Sequence, residues 1–248
     1  MDRLAAVINF RAGAGATAKH WPRINKLLSD RLGPFQAYVC QDYGGGFQAA
    51  AQAVQDGAER LLCVGGDGTF NQVVNALMHK AECPAEIPIG VIPNGTGCDL
   101  IRTLPIPRDL IRAIEVAAAG CRKAIDLGCV RCEGEHGQER SRYFHNVLSF
   151  GLGGPVVERV NRGSKLWGPH MAFVLAALQV IFRYTPRMVR LCLDQERVIQ
   201  TKVWNVIIAN GQYHGGGIWV APQARMDDGI LNVTVIGDVS KLRMLVHV

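Results

Sequence analysis

Leu61-Leu-Cys-Val-Gly65-Gly-Asp-Gly-Thr-Phe-Asn71 decides how this chain is read. An apolar strand, Leu61 to Val64, runs into a glycine-rich turn. An amphipathic helix follows, starting near Phe70, with apolar positions at Phe70, Val73, Val74, Leu77 and Met78. Those positions share one face of an α-helix. A strand, a tight turn and a helix in that order aim backbone N–H groups and the positive end of a helix dipole at whatever fills the turn, and the natural occupant is a phosphate. Asp67 stands inside the turn and would repel an anion unless a cation intervenes. Mg²⁺ bound with a nucleotide is the economical solution.

Working outward, the first half of the chain repeats this pattern. Leu4–Ile8 reads as a buried strand before the loop Asn9–Ala16, Trp21–Leu32 as a helix stopped by Gly33-Pro34, Phe35–Cys40 as a strand and Phe47–Gln55 as a helix. Ile87–Ile92 reads as another strand, ending in Pro93-Asn-Gly-Thr-Gly97. A short helix from Asp99 to Thr103 and a longer one from Asp109 to Ala119 follow. The alternation predicts a Rossmann-like α/β domain with a mostly parallel sheet and helices on both faces. Ligands of such sheets bind at the carboxyl ends of the strands, where the loops after Ile8, Val64 and Ile92 all emerge. From Ile125 the pattern changes to strands at Ile125–Arg131, Tyr143–Phe150, Arg187–Leu193, Val198–Asn210 and Ile230–Ile236. A polar hairpin, Glu133–Ser141, and a helix, Gly163–Phe182, lie among them. The prediction is therefore a nucleotide-binding α/β domain over 1–125 and a C-terminal antiparallel β-rich domain over 126–248, with an active site in a cleft between them.

The composition narrows the class. At 248 residues with 48% hydrophobic content the chain is long enough for a substantial core. The start, Met1-Asp-Arg-Leu4, lacks the charged-then-apolar pattern of a secretory signal, and the apolar run Met171–Phe182 is too short to span a bilayer. Eight cysteines, scattered singly, fit a reduced compartment; Cys129 and Cys132 form the one C-x-x-C and read as ordinary thiols. These features predict a cytoplasmic protein. The formal charge of +6 is uneven: Arg159, Arg162, Lys165, Arg183, Arg187 and Arg190 fall in a stretch without an acidic residue. Such a stretch reads either as a solvated face or as contact with an anionic surface. No nucleic-acid-binding motif accompanies it, so no nucleic-acid partner is expected. With Trp167 and the apolar run after it, a lipid surface is the more coherent partner, placing the protein at the inner face of a membrane.

Taken together, Val64-Gly-Gly-Asp-Gly-Thr-Phe-Asn-Gln-Val-Val-Asn75 and Ile92-Pro-Asn-Gly-Thr-Gly-Cys-Asp-Leu-Ile-Arg102 resemble the GGDGTxNEVVN and PxGTGNDFAR motifs of the diacylglycerol kinase catalytic-domain family. Sphingosine kinases and soluble bacterial lipid kinases share them. Ile125-Asp-Leu-Gly128, Tyr143-Phe-His-Asn146, Gly151-Leu-Gly153, Asn210-Gly211, Gly215-Gly-Gly217 and Ala221–Leu231 follow in the family's order. The resemblance implies transfer of the γ-phosphoryl group of ATP, with Mg²⁺, to a lipid hydroxyl, diacylglycerol first. It places Gly65, Gly66, Asp67, Gly68 and Thr69, with Gly95 and Thr96, at the ATP phosphates, and Asn9 and Arg11 in the first nucleotide loop. Asn71 is expected to cap the Gly65–Thr69 turn. Asp67, Asp99 and Asp126 match acidic positions near metal and phosphates, Asp67 and Asp126 as catalytic groups. Asp228, helped by the carbonyls of Arg225 and Ile230, matches a Mg²⁺ site. For Asp126 and Asp228 the alternative is a carboxylate that merely stabilises a turn.

Phe10, Gln72, Cys98 and Asn232 depart from the family's usual Pro, Glu, Asn and Asp, and Gln41-Asp42 stand near the place of a common Thr. The family also carries an Asp-Gly-Glu motif, associated with the general base, downstream of the position that matches Val248, and this sequence has none. The resemblance thus implies that the base lies beyond Val248 and that the chain is a fragment. The alternatives are a degenerate, non-catalytic nucleotide- or lipid-binding member and an NAD kinase, which shares the GGDGT loop. An incomplete sheet edge would favour a homodimer.

Overall fold

The computed structural model describes residues 3–42, 44–79, 87–134, 137–162, 169–241 and 243. Along the first half, β1 (Leu4–Ile8), α1 (Ala16–Leu32), β2 (Gln36–Val39), α2 (Gly45–Gln55), β3 (Arg60–Gly65), α3 (Asp67–His79), β4 (Ile89–Pro93), α4 (Leu100–Thr103) and α5 (Leu110–Ala119) follow one another. The four strands are parallel in the order β2-β1-β3-β4, with Val7 opposite both Tyr38 and Cys63, and Cys63 opposite Val91. Side chains alternate across this sheet. Ala5, Val7, Leu61 and Cys63 pack against Ala50 and Ala53 of α2 and Val73 and Val74 of α3. Ala6, Ile8, Leu62 and Val64 pack on the opposite face against Ile24 and Leu28 of α1 and Ile114 of α5. Both faces are covered, which is why these strands read as unbroken apolar runs. Ile24, 1% exposed, would cost about 2–5 kcal/mol if cut back to alanine.

Two helices start earlier than the sequence pattern indicates. α1 begins at Ala16, after Gly15 in the left-handed region, and carries Pro22 inside it. α3 begins at Asp67, so the glycine-rich segment is half turn and half first helical turn. Asp109, read as the first helical residue, caps α5 by accepting the Arg112 N–H, and Gly120 ends that helix in the left-handed conformation directly after Ala119, the end expected from sequence.

Next come β5 (Gly128–Glu133) and β6 (Glu139–Phe144), an antiparallel hairpin paired through to Glu133 and Glu139. The strands reach into both ends of the polar hairpin read over Glu133–Ser141, their alternation hidden because much of it is exposed. The expected strand Tyr143–Phe150 breaks at His145-Asn146 and resumes as β7 (Val147–Gly151). α6 (Gly153–Arg162), α7 (Pro169–Arg183), β8 (Arg187–Leu193), β9 (Arg197–Val203) and β10 (Asn205–Ala209) follow. Here too one expected strand is two, divided at the buried Trp204. The chain closes with β11 (Tyr213–His214), β12 (Ile218–Trp219) and β13 (Asn232–Ile236).

Two compact units result. The first comprises Met1–Asn146, Asn210–Trp219 and Arg225–Ile230; the second comprises Val147–Ala209, Val220–Ala224 and Leu231–Val248. The first unit continues past residue 125 because β6 is sewn to α3. The Asn75 amide donates to the Tyr143 carbonyl at 2.8 Å and accepts the Tyr143 N–H at 2.9 Å. In the second unit β13, β10 and β7 form an antiparallel sheet and β8 pairs with β9. Leu152, Val156, Ala176, Ala177, Ile181 and Trp204 form its core, and the Trp204 indole N–H donates to the Val239 carbonyl at 2.9 Å. Arg159, Arg183, Arg187 and Arg190 are exposed there, while Lys165 and Trp167 of the expected lipid-facing stretch lie outside the described residues. Among the described residues no helix is long and apolar enough to cross a membrane.

Candidate active site

The loops that leave β1, β3 and β4 at their carboxyl ends are bound to one another rather than merely adjacent. Asn94 N–H donates to the Gly65 carbonyl at 2.8 Å, and Asn9 N–H to the Val64 carbonyl at 3.1 Å. The Asn9 side chain crosses from the first loop to the second, donating from Nδ2 to Thr69 Oγ1 at 2.9 Å, while its Oδ1 accepts the Arg11 N–H at 2.9 Å. Asn94 Nδ2 donates to Thr17 Oγ1 at 3.0 Å, joining the third loop to the start of α1.

The glycines make this closeness possible. A Cβ on Gly95 would lie 2.5 Å from Gly66 Cα, and one on Gly65 would lie 2.7 Å from Thr69 Oγ1. Gly66 and Gly95 therefore touch backbone to backbone, and a side chain at Gly95 would push the loops apart. Gly68 is exposed, and a Cβ there would meet nothing within 4 Å, so the first turn of α3 stays open to an approaching ligand. A side-chain-poor surface at a helix start suits a phosphate.

Asp67 holds the second and third loops together. Its Oδ2 accepts the Asp99 N–H at 2.9 Å and its Oδ1 the Leu100 N–H at 3.0 Å. Asp99 is 6% exposed; its Oδ2 accepts the Gly216 N–H at 2.8 Å, while Oδ1 faces Arg102 Nε at 3.4 Å. Burial pushes the Asp99 carboxyl above the usual range, against the pull of the Gly216 hydrogen bond. Thr96 contributes its carbonyl to the Arg108 guanidinium at 3.0 Å. Cys98, where the family has Asn, takes the left-handed conformation with φ 49°, and its thiol bonds to both the N–H and the carbonyl of Gly95 at 3.3 Å.

Asn71 does something different from the expected cap. Because α3 starts at Asp67, Asn71 lies past the first helical turn, and its Oδ1 faces His145 Nδ1 at 3.2 Å. An amide oxygen only accepts, so the proton sits on Nδ1 of a neutral ring. His145 is 4% exposed and edge-on to Phe70, with centroids 4.8 Å apart. Burial drives its pKa down to about 4, with Asp67 pulling the other way. Gln72, in place of the family's Glu, accepts the Gly46 N–H at 2.9 Å and so fixes the start of α2.

Asp126 is collected with a second group of predicted residues. Its N–H donates to the Met226 carbonyl at 2.6 Å, and its Oδ2 accepts the Gly229 N–H at 2.7 Å. Asn210 Nδ2 donates to the carbonyls of Asp126 and His145, each at 2.7 Å. Asp228 Oδ1 accepts the Ile230 N–H at 3.0 Å, and Arg225 Nε lies 3.5 Å from Asp227 Oδ1. Asp126 and the Arg225–Ile230 turn thus belong together, whereas the described hydrogen bonds of Asp67 run to the third loop. A cavity of about 510 Å³ elsewhere in this unit is lined by Phe70, Val74, Met78, Ile89, Leu104 and Val116 among others, and its described lining has no carboxylate or imidazole.

The family model for the diacylglycerol kinase catalytic domain matches residues 3–130, and that for the YegS C-terminal NAD kinase beta sandwich-like domain matches residues 146–248. The chain belongs to the diacylglycerol kinase catalytic-domain family. It is 30% identical to a diacylglycerol kinase of Mycobacterium tuberculosis over 248 residues, covering 99% of this chain and 76% of that protein. It is 28% identical to a probable YegS-like lipid kinase of Xanthomonas campestris over 199 residues, covering 80% of this chain and 62% of the relative. The fold is that of a putative diacylglycerol kinase from Bacillus anthracis, with a TM-score of 0.77 at 20% identity, over 99% of this chain and 77% of that one. The parallel α/β domain and the antiparallel β-rich domain expected from sequence are both present, and the family is one of kinases.

His145, Asn75, Asn210 and Gln72 are structural partners of the site to which sequence reasoning gave no place there. Tyr143-Phe-His-Asn146 and Asn210-Gly211 had stood out only as motifs, because hydrogen bonds across 65 to 84 positions leave no periodic trace.

Proposed function

We propose that this kinase-family chain transfers the γ-phosphoryl group of ATP to the hydroxyl of a membrane lipid, with diacylglycerol as the first acceptor. The backbone contact of Gly66 with Gly95 carries the reading, because it brings two loops together with no side chain between them, beside the open first turn of α3 where phosphate oxygens can meet N–H groups. In this reading the amides of Gly65–Thr69 and Thr96 hold the phosphates, while Gly95, its N–H engaged by Cys98, sets the close approach of the third loop. Thr69 Oγ1, itself bonded by Asn9, keeps the loops in register, and exposed Arg11 adds a positive charge at the rim. Phosphoryl transfer requires positioning and charge neutralisation more than a protein nucleophile, and loops braced by Asp67 supply the positioning.

The donor types suit Mg²⁺. Asp126 and Asp228 each use one carboxylate oxygen in a described hydrogen bond, so each keeps an oxygen for a hard cation, and the carbonyls of Arg225 and Ile230 belong to the same turn as Asp228. When bound, Mg²⁺ would neutralise phosphate charge. Asp67, with both oxygens already accepting N–H groups, acts in this reading through the loop it holds.

The experiment follows label from γ-³²P-ATP and Mg²⁺ into lipid, in mixed micelles of diacylglycerol, a sphingoid base or a polyprenyl alcohol. Labelled phosphatidic acid is the expected product. Binding of ATP without labelled lipid from any acceptor would reject transfer and leave a nucleotide-binding protein.

A further inference from the structure

The short hairpin β11–β12 lies against the phosphate loops through the glycine turn at its tip. Gly215, Gly216 and Gly217 turn it with φ of 68°, 89° and 118°, a run of positive values that favours glycine at each position. Gly216 N–H donates to Asp99 Oδ2 at 2.8 Å, Gln212 N–H to Thr103 Oγ1 at 3.0 Å, and Asn146 Nδ2 to the Tyr213 carbonyl at 2.9 Å. A Cβ on Gly97 would lie 3.5 Å from Gly216 Cα, so the hairpin tip borders the third loop itself. So tight an anchorage would normally serve a covered element. Instead the hairpin displays Ile218 at 52% and Trp219 at 57% exposure. Trp219 stacks on Tyr213 with centroids 6.1 Å apart and planes 10° from parallel, and its indole N–H donates to Gln212 Oε1 at 3.3 Å.

An aliphatic residue beside stacked aromatic rings with polar tips is the composition that settles at the boundary between lipid tails and headgroups. The charges beside it match an anionic lipid surface. The Arg102 guanidinium lies against Gly217, and Arg108, exposed, is tied to a neutral carbonyl, that of Thr96. We propose that the Tyr213–Trp219 hairpin is a membrane wedge: Ile218 and Trp219 enter the interface of an anionic bilayer while Gly216 holds the phosphate loops beside the surface. The choice of a bilayer as partner rests on the lipid-kinase reading. The wedge would bring a headgroup hydroxyl to the cradle without the lipid leaving the membrane.

The test is binding of the whole chain, without nucleotide, to vesicles of phosphatidylglycerol and phosphatidylcholine in equal parts. Bromine-labelled acyl chains report which indoles enter. Ile218→Ser with Trp219→Ala should lower vesicle affinity roughly tenfold or more, since two exposed apolar groups lose their burial. Trp219→Phe should keep binding but remove a measurable share of the bromine quenching. An unchanged circular dichroism melt shows that each variant is folded. In parallel, turnover with a short-chain, monomeric diacylglycerol should be within about twofold of wild type in the Ile218→Ser, Trp219→Ala variant, because only delivery from the membrane is affected. Unchanged vesicle affinity in that variant, or unchanged quenching in Trp219→Phe, overturns the wedge. Wild-type vesicle binding that depends on the hairpin, with no turnover on either form of acceptor, would retain the wedge and reject the kinase substrate.

Discussion

The loops at the edge of the parallel sheet and the turn formed by Asp126 with Arg225–Ile230 both belong to the first unit, yet they hold their carboxylates in opposite ways. Asp67 spends both oxygens on backbone N–H groups of the neighbouring loop. Asp126 and Asp228 each spend one, on Gly229 and Ile230. The first arrangement fixes a backbone shape in advance and leaves little for a ligand to reorganise. The second leaves one oxygen on each carboxylate, which the proposed function assigns to a cation. Aspartates in glycine-containing segments thus look alike in sequence and differ in their bonds: Asp67 braces a loop with both oxygens, whereas Asp126 and Asp228 each accept one backbone N–H.

The largest effect that would break this contrast is at Asp67. In Asp67→Asn, an NH₂ group faces a backbone N–H, donor against donor, and one amide of the third loop loses its partner. Turnover should fall about a hundredfold through misplacement of the loop, with a stability loss of about 1–3 kcal/mol. Steady-state assays and thermal melts of the same preparation check both, and wild-type turnover would show that the brace is dispensable.

His145 sharpens the same side of the comparison, since it faces Asn71 from a buried site that favours the neutral ring. Its folded pKa, about 4, lies below the ordinary value of 6.5. The unfolded chain therefore binds the proton first as pH falls. Stability is full above about pH 6.5 and declines down to about 4, by up to about 3 kcal/mol in all, as the difference in pKa requires. His214, also held down by burial, contributes in the same direction. Urea midpoints of wild type and His145→Gln between pH 7 and 4 should converge on acidification, and parallel curves would remove His145 from the account.

The smallest effect belongs to the open turn. Asp228→Asn should raise the Mg²⁺ concentration needed for half-maximal turnover by roughly tenfold while nearly sparing the rate at saturating metal, as loss of a single ligand charge implies. A Mg²⁺ titration of activity reads it directly; an equal loss at every Mg²⁺ concentration would mean that Asp228 acts on the fold and not on the cation.

Much of the first unit was legible because its signals are local. The run Leu61–Val64 and the helix ending at Ala119 each announce themselves within a few residues. The cradle was legible for the same reason, glycine being the one residue that lets two backbones touch. The start of β6 was placed at Tyr143 rather than Glu139 because an exposed strand has no apolar face to alternate. The start of α3 was misplaced by one turn because Asp67, Gly68 and Thr69 are weak helix formers, held helical by contacts with other loops. His145 and Asn210 were silent because their partners lie far away in sequence, and nothing local distinguishes a buried, bonded histidine from an exposed one.

The central claim is that Gly66 and Gly95 meet to form the seat of the ATP phosphates. Calorimetric titration of Mg²⁺–ATP and of AMP into wild type and Gly95→Val tests it most directly. The account predicts that wild type favours ATP over AMP by roughly a hundredfold, through charge-assisted contacts to the added phosphates, and that Gly95→Val, still folded, loses most of that preference. An undiminished preference for ATP in Gly95→Val would contradict it.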